Sequence, residues 1–110
     1  MKSSRINIIA DFSVTPIGLG ATSFGKYVAE AVNAIKKIEG IRCEVTAMGT
    51  ILESEKLETI LEAVKITHEA IFKLGVKRAE SILRIDDRRD KPRTMEDKLK
   101  SIQKYIAQKG

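Results

Sequence analysis

The apolar residues of this chain recur at every second position in some stretches and at every third or fourth position in others. Residues 5–14 show the first pattern, with Ala10 and Phe12 opposed to Asp11. The first pattern predicts a strand with one buried face, and the second predicts a helix with one buried stripe. Because both kinds of element must bury their apolar side, the chain is restricted to a layered fold of strands and helices.

Seven elements are predicted along the chain. They are a strand at 5–14, a helix between Ser23 and Gly40, a strand at 41–48, a short continuation or paired strand at 50–53, a helix at 55–74, a strand at 78–86 and a helix after Pro92. This βαββαβ order with an additional C-terminal helix is typical of an α+β, ferredoxin-like sandwich, in which two helices cover one face of a four-stranded antiparallel sheet. The length suits one core, so residues 1–110 are predicted to form a single domain.

The helix ends and the apolar stripes of the helices are also predicted from the sequence. Ser23 can cap the first helix and Gly40 can end it, while Thr94 and Asp97 form a capping-box pattern at the last helix. The predicted stripes are Phe24, Val28, Ala31, Val32, Ile35 and Ile38 in the first helix, Leu57, Ile60, Leu61, Val64, Ile71 and Phe72 in the second, and Met95, Leu99, Ile102 and Ile106 in the last.

The second face of the predicted sheet mixes apolar and charged side chains. It would present Asn7, Ile9, Asp11, Ser13, Arg42, Glu44, Thr46, Met48, Glu80, Ile82, Arg84 and Asp86, with Cys43, Val45 and Ala47 on the helix-covered side. One face of an antiparallel sheet is often solvated. We expect instead that this face packs against the same face of another subunit, because a self-complementary mosaic suits a two-fold interface. Ligand sites would then lie in the pockets at the seam.

Composition and charge exclude several classes of function. The net charge is +5, but acids and bases are interspersed and only five side chains are Phe or Tyr, so we do not expect nucleic-acid binding. No run of about 18 apolar residues is present, and residues 1–7 lead into an alternating stretch and not into an apolar signal region. We therefore expect a cytoplasmic protein without a membrane partner.

The sequence gives little support for catalysis or metal binding. His68 falls on an apolar helix stripe, where a histidine usually has a structural hydrogen bond, and the lone Cys43 is best explained as a small buried residue. The carboxylates of Asp86 and Asp87 would point to opposite faces of a strand, and their arginine neighbours neutralise them. We predict no catalytic residues, no metal site and no cofactor.

Four separate segments carry a resemblance to a known family. They are 11–18 (DFSVTPIG), 48–53 (MGTILE), 68–69 (HE) and 84–90 (RIDDRRD). Together, and in this order, they resemble the small thiamine-binding protein family, formerly a domain of unknown function. The resemblance implies a ferredoxin-like fold, assembly into dimers and then tetramers, and binding of thiamine or its hydroxymethylpyrimidine fragment near subunit interfaces, with no catalytic activity.

The chemistry of such a ligand selects candidate residues. An aminopyrimidine donates from its amine and accepts at its ring nitrogens, so its pocket needs a carboxylate or carbonyl, a hydroxyl or amide, and apolar walls. A thiazolium would favour nearby acids. The candidate ligand-binding residues are Asp11, Thr15, Ser23, Phe24, Thr46, Met48, Thr50, Glu53 and Asp86.

Structural roles remain open for several candidates. Ser23 is foremost a predicted helix cap. Thr50 could equally be a cap, and Glu53 a solvated acid, instead of ligand contacts. The charged cluster 86–90 is either an intersubunit ion-pair network, which we favour, or a solvated turn. The alternative function is a structural or regulatory homo-oligomer with no thiamine ligand.

Overall fold

The computed structural model describes residues 8–91 and 94–106, so Ile6, Asn7 and Pro92 lie outside the described residues. The elements are β1 (Ile8–Pro16), α1 (Gly25–Ile35), β2 (Ile41–Val45), β3 (Thr50–Ser54), α2 (Leu57–Lys73), β4 (Ala79–Asp87) and α3 (Met95–Ile106). This is the predicted order, with residues 50–53 belonging to a separate third strand.

The four strands form one antiparallel sheet in the order β2-β3-β1-β4. β3 lies between β1 and β2 and is antiparallel to both, so β1 and β2 run in the same direction, as in a split βαβ unit. β4 pairs with the other side of β1 over the full length of both strands. The predicted α+β, ferredoxin-like architecture is therefore confirmed.

The core lies between the sheet and the two helices α1 and α2. Alternate residues of β1 and β3 face these helices, as the period-two pattern predicted. The buried cluster consists of Ile8, Ala10, Phe12, Ile35, Leu52, Ile60 and Ala63. The opposite side of the sheet, called here the open face, carries Ile9, Asp11, Ser13 and Thr15 of β1 with their neighbours on the other strands.

The predictions at the ends of α1 were partly wrong. Phe24 occupies the N-cap position, and no side chain in the described part of the chain caps the helix, so Ser23 does not act as the predicted cap. The hydroxyl of Ser23 lies one residue too early to reach the free N–H groups of the first turn. The helix also ends at Ile35, and Gly40, with φ of +83°, lies in the following turn and not directly at the helix end.

The buried stripe of α2 is rotated relative to its prediction. Its buried members are Ile60, Ala63, Thr67 and Ile71. Leu61 and Phe72 were predicted to be buried but are exposed. Each follows a buried residue by one position, which turns its side chain by about 100° around the helix.

Strand β2 is shorter than predicted. It ends at Val45, and Thr46 to Gly49 form the turn into β3. Val45 and Ala47, which were assigned to the helix-covered side, are consequently exposed at the end of the sheet, whereas Cys43 packs against the core.

Helix α3 begins as predicted. The Asp97 N–H donates to Thr94 Oγ1 at 3.1 Å and the Thr94 N–H donates to Asp97 Oδ2 at 3.0 Å, which is the reciprocal capping box. Its first turn packs on the open face, where Met95 is buried. The open face is therefore partly covered by the chain's own last helix. Its packing against the same face of another subunit stays a prediction. Within the described residues, no helix combines the length and the apolar character needed to cross a bilayer.

Candidate functional site

A cavity of about 390 Å³ lies at the end of the sheet where β1 extends beyond β3. β3 pairs with β1 only from Ile8 to Phe12, whereas β4 pairs with β1 as far as Pro16. Among the residues that the structure describes, none therefore forms a strand beside β1 after Phe12 on the β3 side. The β2–β3 turn and α1 enclose the space that this leaves.

The lining of the cavity combines apolar walls with hydroxyl groups. The lining residues are Phe12, Ser13, Val14, Thr15, Val28, Ala31, Val32, Ile35, Thr46, Ala47, Met48, Gly49 and Thr50. Four of the nine predicted ligand-binding residues, Thr15, Thr46, Met48 and Thr50, belong to this set. The volume lies in the range of about 300–1,000 Å³ that is usual for small-molecule sites.

Thr46 organises the turn that forms one wall. Its Oγ1 donates to the Gly49 carbonyl at 2.8 Å and accepts from the N–H groups of Met48 and Gly49 at 3.3 and 3.2 Å. The Thr46 N–H also donates to the Gly49 carbonyl at 2.7 Å. Because these bonds occupy the hydroxyl, Thr46 shapes the wall, and the Thr15 and Thr50 hydroxyls are the better candidates to contact a ligand.

Gly49 brings this turn against β1. A Cβ added at Gly49 would lie 3.0 Å from the Phe12 carbonyl oxygen and 3.3 Å from Asp11 Oδ1. The predicted residue Asp11 is thus a neighbour of the cavity at Gly49, although it is not part of the lining. Its carboxylate also lies 3.5 Å from Arg84 on the open face.

The other predicted residues lie elsewhere. Ser23 and Phe24 precede α1 and do not line the cavity. Glu53 and Asp86 lie on the open face at the opposite end of β1, both aligned with Ile9. Their role in ligand binding stays a prediction, and the structure does not bring them together with Thr15 and Thr50.

Several lining residues were not predicted as site residues. Val28, Ala31, Val32 and Ile35 were assigned to the apolar stripe of α1, and Ala31, Val32 and Ile35 are buried while Val28 is half-buried. Their second role depends on the early end of the β1–β3 ladder, which periodicity alone does not reveal. Gly49 offered the one usable signal, because a glycine that interrupts a strand pattern often marks a close approach of two backbones.

Glu53 is a buried carboxylate with a structural partner. It is 2% exposed, and its Oε2 accepts a hydrogen bond of 2.5 Å from the Met95 N–H. Arg42 lies 3.4 Å from its other oxygen and also pairs with Glu96 in the first turn of α3. The Arg42 guanidinium lowers the pKa of the Glu96 carboxyl to about 2. This group of residues attaches α3 to the sheet.

The charged cluster 86–90 forms ion pairs within the chain. Arg89 binds Asp87 at 2.7 Å, Arg88 binds Asp90 at 2.9 Å, and Lys98 binds Asp86. The hydrogen bond from Arg88 lowers the pKa of Asp90. An intersubunit role for the cluster stays a prediction.

His68 occupies a structural position. Its Nε2 lies 2.9 Å from Ser81 Oγ, so it links α2 to β4 away from the cavity lining. In the described part of the chain, no three His, Cys, Asp or Glu side chains are grouped to hold a metal ion. A second, more open cavity of about 570 Å³ lies between Gly40, Arg42 and Lys56 at the other end of the sheet.

Residues 10–103 match the sequence profile of a family described as thiamine-binding protein. A UPF0045 protein of Methanothermobacter thermautotrophicus is 46% identical over 99 residues, which cover 90% of this chain and 99% of that protein. A UPF0045 protein of Bacillus subtilis is 38% identical over 101 residues, covering 89% of this chain and 96% of that protein.

Solved structures show the same fold. A hypothetical protein of Methanocaldococcus jannaschii superposes with a TM-score of 0.79 at 41% identity, covering 91% of this chain and 98% of the other. A protein of Thermotoga maritima, for which a role in thiamine biosynthesis or salvage has been suggested, superposes with a TM-score of 0.69 at 22% identity, covering 86% and 96%. The profile and the curated relatives each extend over most of the sequence, and on this basis the chain belongs to the thiamine-binding protein family.

Proposed function

We propose that this chain is a non-enzymatic binding protein, which holds thiamine or a related hydroxymethylpyrimidine in the 390 Å³ cavity and works as a homo-oligomer. The observation that carries the proposal is that four residues chosen for pyrimidine chemistry line one cavity in a chain of this family. The suggested role of the Thermotoga maritima protein supports the same ligand class. A cytoplasmic location stays a prediction from the sequence.

The lining suits a flat heteroaromatic ring. Apolar side chains of α1 and β1, such as Val28 and Phe12, can pack on the ring faces, and the Thr15 and Thr50 hydroxyls can donate to ring nitrogens or accept from the amine. Thr50 is buried, so a ligand bond to its hydroxyl would be shielded from water. Removing one partner of such a hydrogen bond typically weakens the binding free energy by about 1–3 kcal/mol.

The charge of the ligand matters as well. None of the described residues that line the cavity is ionisable. A buried cation without a partner is disfavoured. We therefore expect the neutral hydroxymethylpyrimidine to bind more tightly than thiamine, because Asp11, the carboxylate beside the cavity, already pairs with Arg84.

Exposed apolar surface supports the homo-oligomer. Ile82 on the open face is exposed, as are Leu99, Ile102 and Ile106 on α3. Exposed apolar side chains that cluster on a protein surface often mark an interaction site. The same observation favours the second candidate, a structural or regulatory homo-oligomer with no thiamine ligand.

Calorimetric titration with thiamine and, separately, with hydroxymethylpyrimidine tests the proposal, once the mass in solution has been measured. Saturable binding is expected, and Thr50→Val should weaken it by about tenfold or more. The matched control is Thr59→Val, because Thr59 lines the other cavity.

The titration of the wild-type protein distinguishes the ligand-binding function from the assembly-only function. No heat with either compound at several temperatures would contradict the ligand part of the proposal. If the mass were still a multiple of the chain mass, that result would favour the assembly-only function. If Thr50→Val and Thr59→Val weakened ligand binding equally, the ligand would not occupy the 390 Å³ cavity.

A further inference from the structure

Met48 is the most exposed large apolar side chain in the described part of the chain, at 90%. It also lines the 390 Å³ cavity, and among the described residues it is the one exposed large apolar side chain that does so. By contrast, Phe12 and Val32 of the same lining are buried. The wall that carries Met48 therefore holds an apolar surface that the protein itself leaves in contact with water.

The main chain of the turn that carries Met48 is fixed. The Met48 N–H donates to Thr46 Oγ1 at 3.3 Å, and the Gly49 carbonyl accepts from the Thr46 N–H at 2.7 Å. Gly49 lies against the Phe12 carbonyl, so the turn cannot shift towards β1. Movement at this wall is thus confined to side chains. Of the two residues in the middle of the turn, Ala47 has no torsion that could move a heavy atom, so the mobile side chain is that of Met48.

A methionine side chain suits a moving part of a binding site. It has three rotatable bonds and a polarizable sulfur that packs favourably against an aromatic ring. An exposed side chain of this kind changes rotamer within picoseconds to nanoseconds. Burying it against a ligand removes apolar area from water, but ordering it costs rotamer entropy of comparable size. It should therefore become ordered only when a ligand offers a surface on which it can pack.

The wall formed by α1 supplies the opposite surface. Val28 and Val32 lie one turn apart on the helix and both line the cavity, whereas Met48 lines it from the β2–β3 turn. A planar ring held between the two walls would have aliphatic side chains on one face. Its other face would be open to water unless the Met48 side chain packs on it.

We propose that Met48 folds over the ligand ring as a cover and slows the release of the ligand. This inference rests on the proposed function, because it takes the pyrimidine of that proposal as the occupant of the cavity. It deepens that function by adding a moving part and a ligand class. The class is an uncharged, planar heteroaromatic ring, since a charged group between a thioether and aliphatic side chains would have no partner.

Methyl NMR of the methionines observes the cover directly. The chain contains Met1, Met48 and Met95, and the full protein is prepared with carbon-13 in the methionine methyl groups. Met95 is the internal control, because it is buried and does not line the cavity. Saturation with hydroxymethylpyrimidine should shift the Met48 signal through the ring current of the pyrimidine and leave the Met95 signal in place. Loss of the signal in Met48→Leu assigns it.

Stopped-flow dissociation measures what the cover contributes. Met48→Ala removes the cover and should raise the dissociation rate of hydroxymethylpyrimidine by about tenfold, with a smaller change in the association rate. Met48→Leu keeps an apolar side chain of similar volume, so it should restore most of the slow dissociation. Because Met48 is exposed, neither variant should shift the midpoint of urea denaturation. Equal dissociation rates for the wild-type protein and Met48→Ala would overturn the proposal.

The outcomes distinguish this inference from the proposed function. Saturable binding with an unmoved Met48 signal overturns the cover and leaves the binding function. A Met48 signal that is already broadened before ligand is added means that a second copy packs on this side chain, which also overturns the cover. No binding of hydroxymethylpyrimidine or of thiamine removes the binding function, and the cover is refuted with it.

Discussion

Gly49 lies against the main chain of Phe12 so closely that a Cβ at Gly49 would approach the Phe12 carbonyl oxygen to 3.0 Å. This contact holds the β2–β3 turn beside the unpaired edge of β1 and so forms one side of the cavity. The cavity therefore depends on the packing of two backbones as well as on the side chains that line it.

Gly49→Ala should displace this turn. The backbone at Phe12 cannot move aside without disturbing the β1–β4 ladder, so we expect a loss of about 1–3 kcal/mol in the free energy of unfolding and weaker ligand binding. Gly25→Ala is the matched control, since a Cβ there meets no atom within 4 Å, and it should be neutral or stabilising. Urea denaturation measures both variants, and equal losses would refute the packing argument.

Glu53→Gln should loosen α3. The buried carboxylate accepts from the Met95 N–H and faces Arg42, and an amide cannot replace both interactions. We expect faster hydrogen exchange at Met95 and a destabilisation of about 1–3 kcal/mol. Glu44→Gln, at an exposed acid 3.7 Å from the same arginine, should change stability by less than about 0.5 kcal/mol. Unchanged exchange at Met95 in the Glu53 variant would contradict the attachment.

Thr67→Val should stabilise the protein. Thr67 is fully buried on α2, and its Oγ1 has no hydrogen-bond partner among the described residues. Replacing the hydroxyl by a methyl group removes a desolvated polar atom, so we expect a gain of about 1 kcal/mol in the free energy of unfolding. A loss of stability in thermal or urea unfolding would mean that the hydroxyl is satisfied in solution.

The Glu96 carboxyl should titrate far below its usual range. Arg42 lowers its pKa from 4.5 to about 2 through their hydrogen bond. Because the pKa is lower in the folded protein, the stability that this pair contributes is present above pH 4.5 and is lost as the pH falls towards 2. Carbon-13 NMR of the side-chain carboxyl reports the midpoint, which should rise in Arg42→Gln but stay below 4.5, because the backbone hydrogen bond of Glu96 remains. A normal midpoint in the wild-type protein would contradict the pairing.

The element order and the core could be predicted because periodicity reports burial directly. Ala10, Phe12 and Leu52 lie in the core where the alternation placed them. Thr94 and Asp97 were predictable for a local reason, since the capping box involves residues three positions apart. By contrast, Leu61 was misassigned because an apolar residue one position from a buried stripe looks like part of it.

The cavity itself could be predicted only in part. Thr15, Thr46, Met48 and Thr50 were selected for their chemistry, and the structure brings them together. Glu53 was selected for the same reason, but it lies under α3, because the sequence does not reveal which face of the sheet the last helix covers. The length of the β1–β3 ladder, which creates the cavity, likewise depends on strand pairing between residues far apart in the chain.

Proton–nitrogen NMR during titration with hydroxymethylpyrimidine tests the central claim most directly. We predict that the largest shift changes lie at Val28, Val32 and residues 46–50, which surround the 390 Å³ cavity. Changes centred on Gly40 and Thr59 at the other cavity, or none at saturating concentration, would contradict the assignment of the ligand to this site.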